Sequence, residues 1–103
     1  MKPVLIISTY PNKKSILKIA NELVKTKIIA CVNISKIDSV YSRNGKIQNS
    51  SEYIAIFKTI TKNKTKLKKK IAETHPYDVP EIAEIDVTSI NKSYLNWLIV
   101  STN

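Results

Sequence analysis

The stretch IIACVNISKIDSVYSRNGKIQNSSEYIAIFKT, residues 28–59, decides the fold. At its centre lies Asn44-Gly45. A two-residue type I′ turn needs positive φ at both positions, and Asn-Gly is the pair that supplies it most readily. Gly45 is the only glycine in the chain. The flanks therefore read as the two arms of a β-hairpin. The first strand begins at Ile28–Ile34, and its partner runs over Lys46–Thr59, strongest at Tyr53–Phe57. Along the first arm the alternation slips: Val32 and Ile34 sit at even positions, Ile37 and Tyr41 at odd ones. Because a strand has a period of two, the slip predicts a β-bulge near Ser35–Lys36.

Working outward, Val4–Ile7 is a continuous apolar run, as in a strand buried on both faces. Asn12 can cap the helix that follows. There Ile16, Ile19, Ala20, Leu23 and Val24 form one apolar stripe at helical spacing. Beyond the hairpin, Thr61–Thr74 reads as a helix with a thin stripe, chiefly Leu67 and Ile71. Pro76 disfavours helical geometry at His75, so the helix must end there. Ile82–Val87 alternates as a strand, with Ala83, Ile85 and Val87 on one face and Glu84 and Asp86 on the other. Asn91 can cap a last helix carrying Tyr94, Leu95, Leu98 and Ile99.

The order strand, helix, strand, strand, helix, strand is the split βαβ arrangement of an α/β (α+β) protein, a ferredoxin-like sandwich. Right-handed crossovers put both main helices on one face of a four-stranded antiparallel sheet, with the terminal helix added. The 103 residues are expected to form one domain. A domain of this size has a small core, and the hairpin is longer than such a core requires. Unpaired strand edges invite another chain, so self-association is expected.

The formal charge is +9 and nearly all of the basic residues are lysine, Arg43 being the only arginine. Lys62, Lys64, Lys66, Lys68, Lys69 and Lys70 crowd together; they read as a solvated helix face or as a phosphate-binding patch. No run approaches the roughly 18 apolar residues of a membrane span. With Cys31 as the only cysteine, no intramolecular disulfide can form, which fits a reducing compartment. A cytoplasmic location without membrane partners is expected. The sequence contains no P-loop, GxGxxG, nucleophile elbow or metal-hydrolase histidine pair, so an enzyme is not indicated. A nucleic-acid or polyanion-binding module stays open on charge alone, although aromatics for base stacking are few.

Five segments in order carry a resemblance. Ala30-Cys31-Val32-Asn33-Ile34, Tyr41-Ser42-Arg43-Asn44-Gly45-Lys46, Lys58-Thr59, His75-Pro76-Tyr77-Asp78-Val79-Pro80-Glu81 and Tyr94-Leu95-Asn96-Trp97 resemble the motifs of the CutA divalent-cation tolerance family. The resemblance covers about Pro3 to Val100. It implies a homotrimer of PII-like architecture with clefts between subunits, tolerance of divalent metals and, in some members, copper binding. Three positions depart from the pattern. Arg43 replaces a hairpin tryptophan, Ser8 a cysteine found in some members, and Thr74 the first of two histidines. A copper site built from those ligands is therefore largely missing, and no cofactor is obligatory.

The candidate residues carry two readings each. Tyr41, Lys46, Lys58, Tyr77, Glu81 and Trp97 could line a cleft for a small ligand or ion, or form an intersubunit network of hydrogen bonds and packed aromatics. His75 and Cys31 are the candidate ligands for copper or another divalent cation. Against that, His75 could simply hold its loop and Cys31 could simply pack.

Overall fold

A computed structural model describes residues 1–103. Strand β1 (Pro3–Tyr10), helix α1 (Lys13–Lys25), the hairpin strands β2 (Cys31–Arg43) and β3 (Lys46–Ile60), helix α2 (Lys64–Thr74), strand β4 (Ala83–Asp86) and helix α3 (Lys92–Val100) follow one another. A single 3₁₀ turn, Thr61–Asn63, leads into α2. The sheet order is β2-β3-β1-β4 with every pair antiparallel. This is the ferredoxin-like α+β arrangement that the element order implies.

The core lies between the sheet and the α1/α2 layer. Val4, Ile6 and Tyr10 of β1 and Ala55 and Phe57 of β3 pack with Ile16, Ile19 and Leu23 of α1 and Leu67 and Ile71 of α2. Val24, assigned to the same stripe, lies at the margin of the α1 contact and is exposed. Asn12 caps α1, its side-chain oxygen accepting from the Ser15 amide at 2.8 Å. At the other end Lys27 takes the left-handed conformation, φ 63°. The amides of Lys27 and Ile28 return to the carbonyls of Val24 and Leu23, which makes a Schellman turn. Strand β2 consequently starts at Cys31 rather than Ile28. Ile29 stays buried outside the sheet, and the Ile28 carbonyl accepts from Thr59 Oγ1 at 2.6 Å and Asn63 Nδ2 at 3.2 Å. No helix is long and apolar enough to cross a membrane.

The hairpin turn is as expected, with φ 52° at Asn44 and 76° at Gly45. The bulge is not. Pairing runs without interruption from Cys31↔Lys58 to Arg43↔Lys46. The slip in the apolar pattern has another cause. Val32 and Ile34 oppose Phe57 and Ala55 and pack against the core. Ile37 opposes Glu52, and Tyr41 opposes Gln48, on the other face. Strand β1 ends where Tyr10 meets Tyr53, so β3 residues 46–52 pair only with β2. The apolar residues change face where the covering layer stops, and the register never changes.

The hairpin therefore continues as a two-stranded arm, and the molecule is elongated, 45 × 26 × 21 Å. On the helix-side face of the arm Val40 and Ile47 are 68% and 70% exposed. Nothing approaches within 4 Å of a Cβ placed on Gly45. Gly45→Ala should consequently act through backbone strain alone and cost about 1–2 kcal/mol, measured by urea unfolding. An unchanged midpoint would show that the turn does not require its left-handed geometry.

Candidate functional site

The HPYDVPE segment forms a corner against the end of β1. Helix α2 stops at Thr74, and His75 adopts an extended conformation, φ −72°, ψ 135°, as the following proline requires. The imidazole stacks on Tyr10 with centroids 4.2 Å apart and planes 23° from parallel. Its Nδ1 accepts the Tyr77 amide hydrogen at 3.1 Å. An acceptor nitrogen carries no proton, so the ring is the Nε2–H tautomer. Nε2 lies 3.1 Å from Ser8 Oγ and donates to it. Burial lowers the His75 pKa, opposed by a contact with the Thr9 backbone, and the ring stays neutral at pH 7. Both nitrogens are thus engaged. With its proton on Nε2, His75 cannot take one from Ser8, and Ser8 is fully buried. The Ser8–His75 contact is therefore a structural hydrogen bond and not an activated nucleophile. The Tyr10 hydroxyl is buried with no hydrogen-bond partner, and burial pushes its pKa up to about 12.

On the sheet face away from α1 and α2, the corner and the arm enclose an open cavity of about 750 Å³, lined among others by Tyr41, Arg43, Glu52, Tyr77, Asp78 and Glu81. The Tyr77 hydroxyl donates to Glu52 Oε2 at 2.7 Å. Glu52 is held below the usual carboxylate range, first by a hydrogen bond from Ser39 and also by those from Tyr77 and Thr9, against the effect of burial. Burial and then the Glu52 carboxylate push the Tyr77 hydroxyl up to about 12. The Arg43 guanidinium lies 5.8 Å from the Tyr41 ring centroid, at the outer limit of a cation–π contact. Three carboxylates against one arginine make this cavity acidic in a chain of net charge +9. Within one chain no three His, Cys, Asp or Glu side chains converge closely enough to hold a metal ion.

The structure divides the sequence-derived candidates. Tyr41, Tyr77 and Glu81 meet at the cavity. Lys46 lies beside it at the hairpin turn, opposite Arg43. Lys58 and Trp97 lie at the other end of the sheet. The Lys58 ammonium is 5.6 Å from the Tyr94 ring centroid, and Tyr94 packs on Trp97 at 5.4 Å. Cys31 pairs with Lys58, six residues along β3 from Glu52 and so roughly 20 Å away. His75 packs on the helix-side face against Ser8 and Tyr10, whereas Cys31 points to the opposite face. One chain cannot bring these two candidate metal ligands together. Glu52 was the residue missed, since nothing local sets it apart between the polar Asn49-Ser50-Ser51 and the apolar Tyr53–Phe57. The Asn44-Gly45 turn could have exposed it: that register puts Glu52 on the same face as Ser39 and Tyr41.

The molecule is thus a ferredoxin-like α+β unit with an acidic cavity where a protruding hairpin meets a Pro-braced corner. Residues 4–101 match the sequence model of the CutA1 divalent ion tolerance protein family, and the chain belongs to that family. The divalent-cation tolerance protein CutA of Pyrococcus horikoshii is 40% identical over 99 residues, 96% of this chain and 97% of its own. That of Thermococcus kodakarensis is 37% identical over 98 residues, covering 95% and 94%. Among solved structures, CutA1 from Ehrlichia chaffeensis superposes with a TM-score of 0.94 at 37% identity, covering 100% of this chain and 98% of its own. CutA1 from Pyrococcus horikoshii does so with 0.91 at 40% identity, covering 97% and 98%. The family is named for ion tolerance and not for a reaction.

The neutral His75 carries a pH signature. Its folded pKa lies below the unfolded value of about 6.5, so the unfolded chain binds the proton first. Its contribution is complete above about pH 6.5 and is lost as pH falls toward and through the folded pKa. The apparent Tm at fixed protein concentration should drop between pH 7 and pH 5. The drop should be smaller in His75→Gln, whose amide can still accept from Tyr77 and donate to Ser8. An equal drop in both proteins would remove His75 from the account.

Proposed function

We propose that the chain acts as a homotrimeric divalent-cation tolerance protein. In this reading a divalent cation, or a small cationic ligand, binds at the acidic cavity, and a neighbouring chain completes the site. The observation that carries the proposal is the position of that cavity. It opens at the base of an arm whose outer β2 edge pairs with nothing and whose two faces both present apolar residues: Ile37 and Tyr41 on one, Val40 and Ile47 on the other. A two-stranded ribbon is marginal in water by itself. A second chain on this arm would also close over Glu52, Asp78 and Glu81.

Carboxylate oxygens suit a hard divalent cation and fit copper(I) poorly, since that ion prefers sulfur. Copper binding through His75 would require the imidazole to release the Tyr77 amide or the Ser8 hydroxyl, and through Cys31 would need ligands from other chains. The proposed role is binding, with a signalling or structural output, in the cytoplasm, where a lone thiol such as Cys31 stays reduced. The Ser8–His75 tautomer argues against a serine nucleophile activated by that histidine.

Light scattering at micromolar concentration should give a mass of about 35 kDa, three chains of 11.7 kDa. A value near one chain would end the trimer reading. Titration with Cu(II), Zn(II) and Mn(II) should show binding that Glu81→Gln weakens and Cys31→Ser leaves alone. Loss of binding on Cys31→Ser, with Glu81→Gln unaffected, would instead move the site to the thiol.

A further inference from the structure

A second cavity, of about 570 Å³, shares no lining residue with the acidic one and has the opposite character. It lies between the Schellman turn after α1 and the outer face of α2. Lys66, Lys69, Lys70 and Glu73 are spaced three, four and seven apart, one face of a helix, and all line it together with Lys27. Ile28 is its only apolar lining residue.

The charge balance of α2 separates these lysines from the remainder of the run. Glu84 of β4 pairs with Lys64 at 3.1 Å and Lys68 at 2.6 Å. Glu73 reaches Lys69 at 4.0 Å. Lys27, Lys66 and Lys70 have no carboxylate within 4 Å. Lys66 and Lys70 repel each other at i, i+4, and the first turn of α2 has no acidic residue to offset the positive helix end. Lys27 occupies a left-handed position, φ 63°, that glycine takes at lower cost. The backbone acceptors that would repel an anion are already occupied. The Thr26 and Lys27 carbonyls accept from the Asn103 side chain and amide at 3.3 and 3.0 Å, and the Ile28 carbonyl accepts from Asn63 and Thr59. Four ammonium groups then face the cavity against one carboxylate, that of Glu73.

We infer that this basin binds a small polyphosphate, such as a nucleoside triphosphate or inorganic triphosphate, through Lys27, Lys66 and Lys70, with Lys69 at the rim. Lysines act there as point charges on phosphate oxygens. The cavity volume falls in the range of small-molecule pockets, which favours a compact ligand over an extended strand.

The test is calorimetric titration of inorganic triphosphate and of ATP, without metal, into the full chain at low ionic strength. One saturable site per chain is expected, weakening as salt is added. The paired variant Lys66→Ala, Lys70→Ala should lose about tenfold or more in affinity, as expected for removing charge-assisted contacts. A charge-matched control, Lys13→Ala with Lys14→Ala, alters the opposite end of α1, roughly 18 Å along the helix from the Schellman turn, and should stay within about twofold. Lys66→Arg should retain binding, which separates charge from fold. The absence of saturable binding would overturn the inference, as would equal losses in the two double variants. Tighter binding of a twenty-nucleotide RNA than of triphosphate, equally sensitive to both double variants, would replace the pocket by a diffuse basic surface. None of these readouts depends on cation binding at the acidic cavity.

Discussion

A pair of β-strands has two faces, and a chain of this size supplies a covering layer for only part of one. The β2–β3 ladder is held in a single register by the Asn44-Gly45 turn along its whole length, while β1 accompanies it only as far as Tyr53. Up to that point Val32, Ile34, Ala55 and Phe57 are backed by α1 and α2. Beyond it, the same ladder carries apolar residues on both faces, and the helix layer no longer covers Val40 and Ile47. Burying a large apolar side chain is worth roughly 1.5–3 kcal/mol, so leaving Val40, Ile47 and their neighbours exposed forgoes a substantial share of the 5–15 kcal/mol by which domains are stable. The proposed trimer would use the arm as half of an interface.

The corner depends on that same boundary. Where β1 ends, Tyr10 offers an aromatic face to His75, and Pro76 keeps His75 from continuing α2. The imidazole then ties the corner to β1: it stacks on Tyr10, donates to Ser8 and accepts from Tyr77. Held in this way, Tyr77 reaches past the end of β1 to Glu52 on the far face. Through these contacts His75 fastens the corner that sets the shape of the acidic cavity. The two cavities also divide a lysine-rich chain into separate regions of opposite charge, and Glu84 ties Lys64 and Lys68 to β4 outside both.

The architecture was legible because it rests on local signals. Asn44-Gly45 fixed the hairpin, Asn12 the start of α1, and Pro76 the end of α2. The failures were non-local. A change of apolar face looks the same in sequence as a bulge, and only the position at which β1 stops distinguishes them. The start of β2 was misplaced because Lys27, in place of glycine, makes the left-handed turn. Within one chain Lys58 and Trp97 lie at the opposite end of the sheet from Tyr77 and Glu81, a separation that only the strand pairing reveals. The Glu52–Tyr77 hydrogen bond spans 25 positions and has no local signature at all.

The claim that the arm is stabilised by other copies of the chain can be read amide by amide. Native-state hydrogen exchange at micromolar concentration should show residues 37–43 and 46–52 protected to nearly the same degree as β1, including β2 amides that face away from β3 and have no partner within the chain. Rapid exchange along the arm beside a protected β1 would show a free two-stranded ribbon and contradict the account.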